Sequence, residues 1–257
     1  MELYLYLTLF TVYGLVIGSF LNVCAYRIPI GESVAKGRSY CPSCRHSLSA
    51  LDLVPVFSYL LLGRRCRYCK STISPRYAMV ELLTAVCFGA AYLFSPSMYL
   101  AVFNCLLMAV LIVVALIDAQ TQEISDKAVL MVFALAAAVF AAQWRLDGWH
   151  HILLLKLIGI FAVSLPMLVI ARFTGGFGGG DIKLMAAAGL YLGVFNIVLA
   201  FFIGAVLAAV YGLLLIIRKK FKRKSAIAFG PFLSVGIAVS LLFGDKMIAT
   251  YLAWFNL

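Results

Sequence analysis

Two aspartates, Asp118 and Asp181, adjoin apolar segments in which a charged side chain is unfavourable. Asp118 ends the apolar run 101–117, and Asp181 directly follows three glycines, Gly178 to Gly180. Ionisable residues at membrane depth are rare and commonly belong to functional sites. Two neighbouring carboxyls do not both ionise readily, so one keeps a proton while the other activates water. The pair therefore favours hydrolysis of a peptide bond without a metal ion or a covalent intermediate.

Each aspartate also has a simpler interpretation. Asp181 precedes a helical pattern and could cap that helix by accepting its first backbone N–H groups. Asp118 could be a helix end at the membrane surface, paired with Lys127. Neither explains the glycine run, which removes side chains over a whole turn and leaves room for an extended peptide, so we expect Gly178 and Gly180 to belong to the substrate loop. A phosphate-binding loop is disfavoured because the preceding strand and the Gly-Lys-Ser/Thr ending are both missing.

Two Cys-x-x-Cys pairs lie in the polar segment 27–76, formed by Cys41, Cys44, Cys66 and Cys69. A spacing of 21 residues between the pairs is typical of a zinc ribbon, in which each knuckle directs two thiolates at one tetrahedral ion. Four thiolates close the coordination shell, so we predict a structural zinc and not a catalytic one. The metal would also explain how a segment with few apolar side chains holds a shape.

The elements that must position these residues are transmembrane helices. Hydrophobic residues make up 65% of the sequence and charged residues 12%, which is typical of a polytopic membrane protein. A crossing helix needs about 20 residues. Length and hydropathy predict spans at 3–25, 77–94, 98–117, 128–142, 152–171, 182–195, 197–217 and 226–243. The sixth span is too short for a straight crossing unless the bilayer thins or a loop dips in.

The predicted fold class is therefore an all-α polytopic membrane protein of about eight transmembrane helices, with a small cytoplasmic zinc-ribbon insert. We expect a first transmembrane helix over 1–26, a zinc-ribbon loop over 27–76, and a transmembrane protease core of seven helices over 77–257. The first span lacks a basic leading segment and a small-residue cleavage pattern, which indicates a retained helix and not a signal peptide.

The distribution of Lys and Arg predicts the orientation. With the N-terminus outside, 18 of these residues fall in inner segments and 3 in outer ones, as the positive-inside rule requires. This orientation places the zinc ribbon and both aspartates on the cytoplasmic side, where disulfides are disfavoured. The basic run 218–224 is interpreted as an anchor to anionic membrane lipid, and the net charge of +11 needs no nucleic-acid partner.

Several short motifs occur in a specific order along the chain. They are Gly18-Ser19-Phe20-Leu21-Asn22-Val23, the two cysteine knuckles, Pro75-Arg76-Tyr77, Val80-Glu81-Leu82, Asp118 with Asp126 downstream, Gly178-Gly179-Gly180-Asp181 and Phe229-Gly230-Pro231-Phe232. In this order they resemble the type IV prepilin peptidase family of intramembrane aspartyl proteases, whose G-x-G-D signature matches residues 178–181. The sequence departs from the family pattern at Ser125, where proline is common, and at Phe177, where methionine is common.

The resemblance implies a bifunctional enzyme of the bacterial cytoplasmic (inner) membrane. Such an enzyme cleaves the basic leader from prepilins or pseudopilins and then methylates the new N-terminal amine with S-adenosylmethionine. Asp118 and Asp181 would form the catalytic pair, and the assignment of the base stays open because coupled carboxyls titrate as a unit. The methyltransferase candidate is Glu81, for which pairing with Arg76 is an equal alternative. Lys183 either tunes the proton affinity of the pair or lies at the edge of the site.

Two other function classes fit parts of the sequence. A zinc-ribbon transporter could use the two aspartates to bind protons or cations, and a scaffold could use the ribbon to dock partner proteins. A transporter would need polar residues in the outer halves of the spans, and those halves are almost entirely apolar. The enzyme interpretation is therefore favoured.

Overall fold

The computed structural model describes residues 1–147, 150–218 and 227–254. Within these ranges the regular elements are helices, apart from two isolated β-bridges, which confirms the all-α prediction. The helices are α1 (Glu2–Arg27), α2 (Phe57–Leu61), α3 (Arg76–Phe94), α4 (Met98–Thr121), α5 (Asp126–Asp147), α6 (His150–Thr174), α7 (Gly179–Leu192), α8 (Val194–Ile217) and α9 (Gly230–Trp254), with a 3-10 helix at Ala50–Leu53. Most of the predicted basic anchor, 219–224, lies outside the described residues.

Seven of these helices are long and apolar enough to cross a membrane, namely α1, α3, α4, α5, α6, α8 and α9. The chain is therefore a multi-pass membrane protein. Helix α7 corresponds to the sixth predicted span and has 14 residues. At 1.5 Å per residue it is about 21 Å long, which is short of the roughly 30 Å of a hydrocarbon core.

The chain forms two compact units, Met1–Val113 and Val114–Leu257, and α4 runs through the boundary. In the first unit α1 packs closely along α3 at a Gly-x-x-x-Gly pattern. A Cβ added at Gly18 would lie 2.7 Å from the Cα of Glu81, and one at Gly14 would lie 2.6 Å from the Cα of Ala85. Small residues at such spacing let two helix backbones approach, which here places Glu81 directly against α1.

The polar insert between α1 and α3 has almost no hydrophobic core of its own. Over 28–75 the buried residues are Cys41 and Cys66. The chain entering the insert is fixed by Arg27, which is 5% exposed. Its guanidinium donates hydrogen bonds of 3.0 Å to the backbone carbonyls of Ser33, Lys36 and Arg38.

In the second unit α7 packs against α5 and α6, and α8 packs against α9. Gly193 has a φ of +83°, a conformation that favours glycine, and it separates α7 from α8. The tight packing of α6 on α7 occurs where Gly159 faces Gly189, so that neither position has room for a Cβ. The last turn of α7 is thereby held close against α6.

Candidate active site and metal centre

Asp118 lies in the last turn of α4 and is 4% exposed. Its carboxylate oxygen Oδ2 accepts a hydrogen bond of 2.8 Å from the backbone N–H of Gly230, the first residue of α9. A Cβ at position 230 would lie 2.7 Å from that oxygen. The predicted alternative of an ion pair with Lys127 is wrong, because the polar partner of the Asp118 carboxylate within the described residues is Gly230.

Asp181 lies in the first turn of α7 and is 8% exposed. Gly178, and not Asp181, is the N-cap of α7, and the Asp181 carboxylate makes its capping contact by accepting a hydrogen bond from the Gly178 backbone N–H. Capping uses only part of the side chain, since the other oxygen, Oδ1, is buried without a hydrogen-bond partner in the described part of the chain. Native proteins seldom leave such an atom unpaired, which makes this oxygen a candidate for chemistry.

The two carboxyls influence each other electrostatically. Burial first, and then the negative charge of Asp118, raise the pKa of Asp181 to about 6, although the Gly178 N–H acts in the opposite direction. An acid whose pKa approaches neutrality through burial and a like charge is the arrangement that keeps one proton on a carboxyl pair. The second unit therefore brings together the two predicted site aspartates.

Two contacts join the turn after Asp118 to the start of α7. A Cβ at Gly180 would lie 2.8 Å from the Cβ of Ile124, so a larger residue would push the two segments apart. The ammonium of Lys183 lies 2.7 Å from Oδ1 of Asp126 in an exposed ion pair. Of the two sequence alternatives for Lys183, the structure supports a position at the edge of the site. Asp126 was not predicted as its partner.

A phenylalanine cluster connects the glycine loop with the start of α9. Phe177, Phe201 and Phe229 have ring centroids 5.6 to 6.4 Å apart. Phe177 precedes Gly178, and Phe229 precedes Gly230. The cluster therefore packs together the two backbone segments that donate hydrogen bonds to the aspartates. Sequence reasoning did not identify this contact, because single aromatics in apolar segments carry no specific signal.

The four predicted metal-binding cysteines form one cluster in the first unit. Their sulfur atoms all lie within 4.8 Å of one another, and the Sγ atoms of Cys41 and Cys69 are 3.9 Å apart. Tetrahedral zinc with Zn–S bonds of about 2.3 Å requires sulfur separations of roughly 3.8 Å, so the donor set fits the ion. These cysteines could hold a metal ion. His46 is not in the cluster, and its ring lies against that of Tyr68 with centroids 3.7 Å apart.

The two knuckles are built alike. The Cys41 N–H donates to the carbonyl of His46, and the Cys66 N–H donates to the carbonyl of Ser71. The residue after each second cysteine, Arg45 or Lys70, has a φ of +60°. One antiparallel bridge closes each knuckle, Tyr40 with Ser47 and Arg65 with Thr72. This repeated geometry points both thiolates of a pair in one direction, as metal binding requires.

Asp52 fixes the second knuckle and was not predicted. Its carboxylate accepts hydrogen bonds of 2.6 Å from the Arg67 Nε and 3.0 Å from the Tyr68 hydroxyl, together with bonds from the backbone and hydroxyl of Ser49. Burial alone would raise the pKa of Asp52, but the bonds from Arg67 and Ser49 hold it well below its ordinary value. Because these donors are brought together only by folding, residue spacing gives no signal for the cluster.

Glu81 is 8% exposed and lies in the second turn of α3. Its Oε2 accepts a hydrogen bond of 2.8 Å from the Val56 N–H, and the Ser19 hydroxyl is a further partner. The suggested pairing with Arg76 is therefore absent. The side-chain amide of Asn22 donates a hydrogen bond of 3.1 Å to the backbone carbonyl of Tyr77 and so links α1 to α3.

The fold and the carboxyl pair define a polytopic membrane protein with an aspartyl-protease-like site. Residues 12–95 match the Bacterial Peptidase A24 N-terminal domain, and residues 105–213 match the Type IV leader peptidase family. The chain belongs to the type IV leader peptidase family.

Three similar relatives are each named prepilin leader peptidase/N-methyltransferase. The protein of Bacillus subtilis (strain 168) is 33% identical over 96% of this chain and 98% of its own length. That of Burkholderia pseudomallei (strain 1026b) is 36% identical over 91% of this chain and 84% of its own length. That of Neisseria gonorrhoeae is 34% identical over 87% of this chain and 86% of its own length. No solved structure matches the chain significantly.

Proposed function

We propose that this protein cleaves the leader peptide of prepilins or pseudopilins with the Asp118 and Asp181 pair, and then methylates the new N-terminal amine. The observation that carries the proposal is the unpaired buried oxygen of Asp181 beside a second buried carboxyl from another helix. The relatives named above, which span nearly the whole chain, support both activities.

Hydrolysis needs one protonated and one ionised carboxyl. The carboxylate takes a proton from water as the water oxygen bonds to the scissile carbonyl carbon, and the acid donates its proton to the carbonyl oxygen. When the tetrahedral intermediate collapses, the C–N bond breaks and the leaving amine takes the proton that the first carboxyl accepted from water. A hydroxyl of the intermediate returns a proton to the second carboxyl. The N–H groups of Gly230 and Gly178 hold the two carboxyls in place throughout.

The substrate reaches the pair over the glycine loop. Gly178 places no side chain against the Asp181 carboxylate, and Gly179 faces open space where an extended peptide could approach. Gly180 packs against Ile124 and so fixes the position of the loop. The uneven charge distribution supports a cytoplasmic position for the zinc ribbon and the active site, with the N-terminus outside. The basic leader of a substrate would then remain on the cytoplasmic side while its apolar helix enters the membrane.

Zinc is assigned a structural role at Cys41, Cys44, Cys66 and Cys69. Four thiolate ligands would complete a tetrahedral shell and would leave no position for a substrate or water. For the second reaction, S-adenosylmethionine would supply an electrophilic methyl group to the amine nitrogen, which would lose a proton. Glu81 is the candidate residue for this activity.

The cleavage proposal is tested with purified full-length protein and a prepilin substrate, by a leader-length shift in mobility. We expect Asp118→Asn and Asp181→Asn each to lower the cleavage rate by about a thousandfold, because each removes one of the two proton-transfer groups. Glu123→Gln is the matched control, since it removes an exposed carboxyl five residues beyond Asp118. Intact substrate with the unmodified protein would favour the transporter or the scaffold, although none of the three relatives is named as either.

A further inference from the structure

A cavity of about 380 Å³ lies in the first unit, between the polar insert and helices α1 and α3. This volume is within the range of about 300 to 1,000 Å³ that is usual for small-molecule sites. Its wall includes Glu81 and Ser19 from the helices and Asp52 and Arg67 from the insert. The cavity therefore exists only where the insert is folded against the helices.

Glu81 brings to this wall a buried carboxyl that has no positive partner among the described residues. Its known partners are the Val56 N–H and the Ser19 hydroxyl, both neutral groups. Among the described residues no Lys or Arg side chain forms an ion pair with it. Burial of a carboxylate without a positive partner is unfavourable, so the site is suited to a ligand that carries positive charge.

The remaining wall offers two further kinds of contact. Tyr26, Tyr40 and Tyr77 line the cavity, and aromatic rings provide flat apolar surfaces and attract cations to their faces. Arg67 also lines it, and its Nε is the group that pairs with Asp52. A ligand with a cationic centre, a flat heteroaromatic ring and a carboxylate would therefore find a complementary group for each part.

We propose that this cavity binds S-adenosylmethionine, with the Glu81 carboxylate against the sulfonium. The inference rests on the methyltransferase activity proposed above and assigns its donor site to the first unit. Transfer of the methyl group turns the sulfonium into a neutral thioether, because the electron pair of the broken S–C bond stays on sulfur. Glu81 would thus bind the donor more tightly than S-adenosylhomocysteine, which favours exchange of product for fresh donor.

Equilibrium binding of the two ligands to detergent-purified full-length protein, without any pilin substrate, tests this assignment. We expect the unmodified protein to bind S-adenosylmethionine about tenfold more tightly than S-adenosylhomocysteine. Glu81→Gln retains an oxygen for the Val56 N–H but loses the charge. It should weaken donor binding about tenfold and leave product binding nearly unchanged. Glu2→Gln, which removes an exposed carboxyl from the first turn of α1, is the control and should bind as the unmodified protein does.

Equal weakening of both ligands by Glu81→Gln, or no weakening, would overturn the role of Glu81. If that variant loses its zinc or does not fold, photolabelling of the unmodified protein with methyl-tritiated donor replaces it. Label in peptides from residues 1–113 supports the site, and label confined to 114–257 contradicts it. Cleavage of prepilin without added donor is measured separately, so loss of the donor-site assignment and loss of the peptidase assignment are distinguishable.

Discussion

The backbone N–H of Gly230 donates a hydrogen bond of 2.8 Å to the Asp118 carboxylate and joins positions 112 residues apart. This bond orients a buried carboxyl through the beginning of α9, and it leaves no room for a side chain at position 230. Both effects act on the geometry of the aspartyl pair. The pair therefore depends on three helices, since α4 and α7 supply the carboxyls and α9 supplies the donor.

Gly230→Ala should disable cleavage without removing either carboxyl. The added Cβ would lie 2.7 Å from Asp118 Oδ2 and 2.9 Å from its Cγ, so the carboxyl must move. A displacement of about 1 Å can lower a rate about a hundredfold, and we expect kcat for leader cleavage to fall by that order. Gly212→Ala is the control, because its Cβ would meet Ile227 at an ordinary 3.5 Å. Equal rates for the two variants would contradict the proposed role of the Gly230 contact.

Cleavage should decline as the pH rises through about 6. Burial, and next the charge of Asp118, raise the pKa of Asp181 to about 6 from an ordinary 3.8. Below the raised pKa of Asp181, the pair holds the one proton that catalysis needs. The pair loses this proton as the pH increases through that pKa. We therefore expect a plot of log kcat against pH to fall with an apparent pKa near 6. A rate that stays constant between pH 5 and 8 would show that Asp181 does not share the catalytic proton.

The raised pKa of Asp181 also predicts how the stability of the protein depends on pH. Because the pKa is raised in the folded state, ionised Asp181 opposes folding, and this penalty grows as the pH rises from about 4 through 6. Asp181→Asn removes it. The difference in thermal midpoint, variant minus unmodified protein, should therefore be larger at pH 8 than at pH 4. Both proteins are unfolded in the same detergent for this measurement.

Sequence patterns predicted the site residues whose signals are local. The cysteine knuckles are recognisable from spacing alone, and the aspartates stand out because charges are rare in apolar segments. Helix ends were less accurate. Helix α9 was expected to end at 243 and continues to Trp254, because Asn196 donates a hydrogen bond of 2.8 Å to Asp245 and thereby accommodates a charge that interrupted the apolar pattern.

Contacts between distant residues could not be predicted in this way. The bond from Gly230 to Asp118, the ion pair of Lys183 with Asp126 and the hydrogen bonds to Asp52 all depend on how elements pack. The motif Phe229-Gly230-Pro231-Phe232 is recognisable in the sequence, but a glycine motif does not reveal which side chain its N–H approaches.

Removal of zinc should unfold the insert. Over 28–75 the buried residues are two of the four cysteines, so little apolar burial would remain to hold this segment together. We expect about one zinc per chain by elemental analysis, lost in a Cys41→Ser, Cys44→Ser double variant. That variant should also show faster proteolysis within 28–75. Cys87→Ser is the control, because Cys87 lies in α3 outside the cluster. A metal-free preparation with a protease-resistant insert would contradict the structural role.

The exposed ion pair between Lys183 and Asp126 should contribute modestly to cleavage by holding the start of α7 against the turn after Asp118. The side chains are 58% and 76% exposed, and such pairs contribute at most about 1 kcal/mol, so Lys183→Glu should lower kcat by about threefold to fivefold. Added salt screens the pair, and the difference should therefore shrink at high ionic strength. The charge-reversed double variant, Lys183→Glu with Asp126→Lys, should recover most of the lost rate. The control is Lys127→Glu, which reverses a charge next to Asp126 in the sequence and should leave kcat nearly unchanged. If the double variant is slower than either single variant, Lys183 acts on the substrate or the carboxyls and not through Asp126.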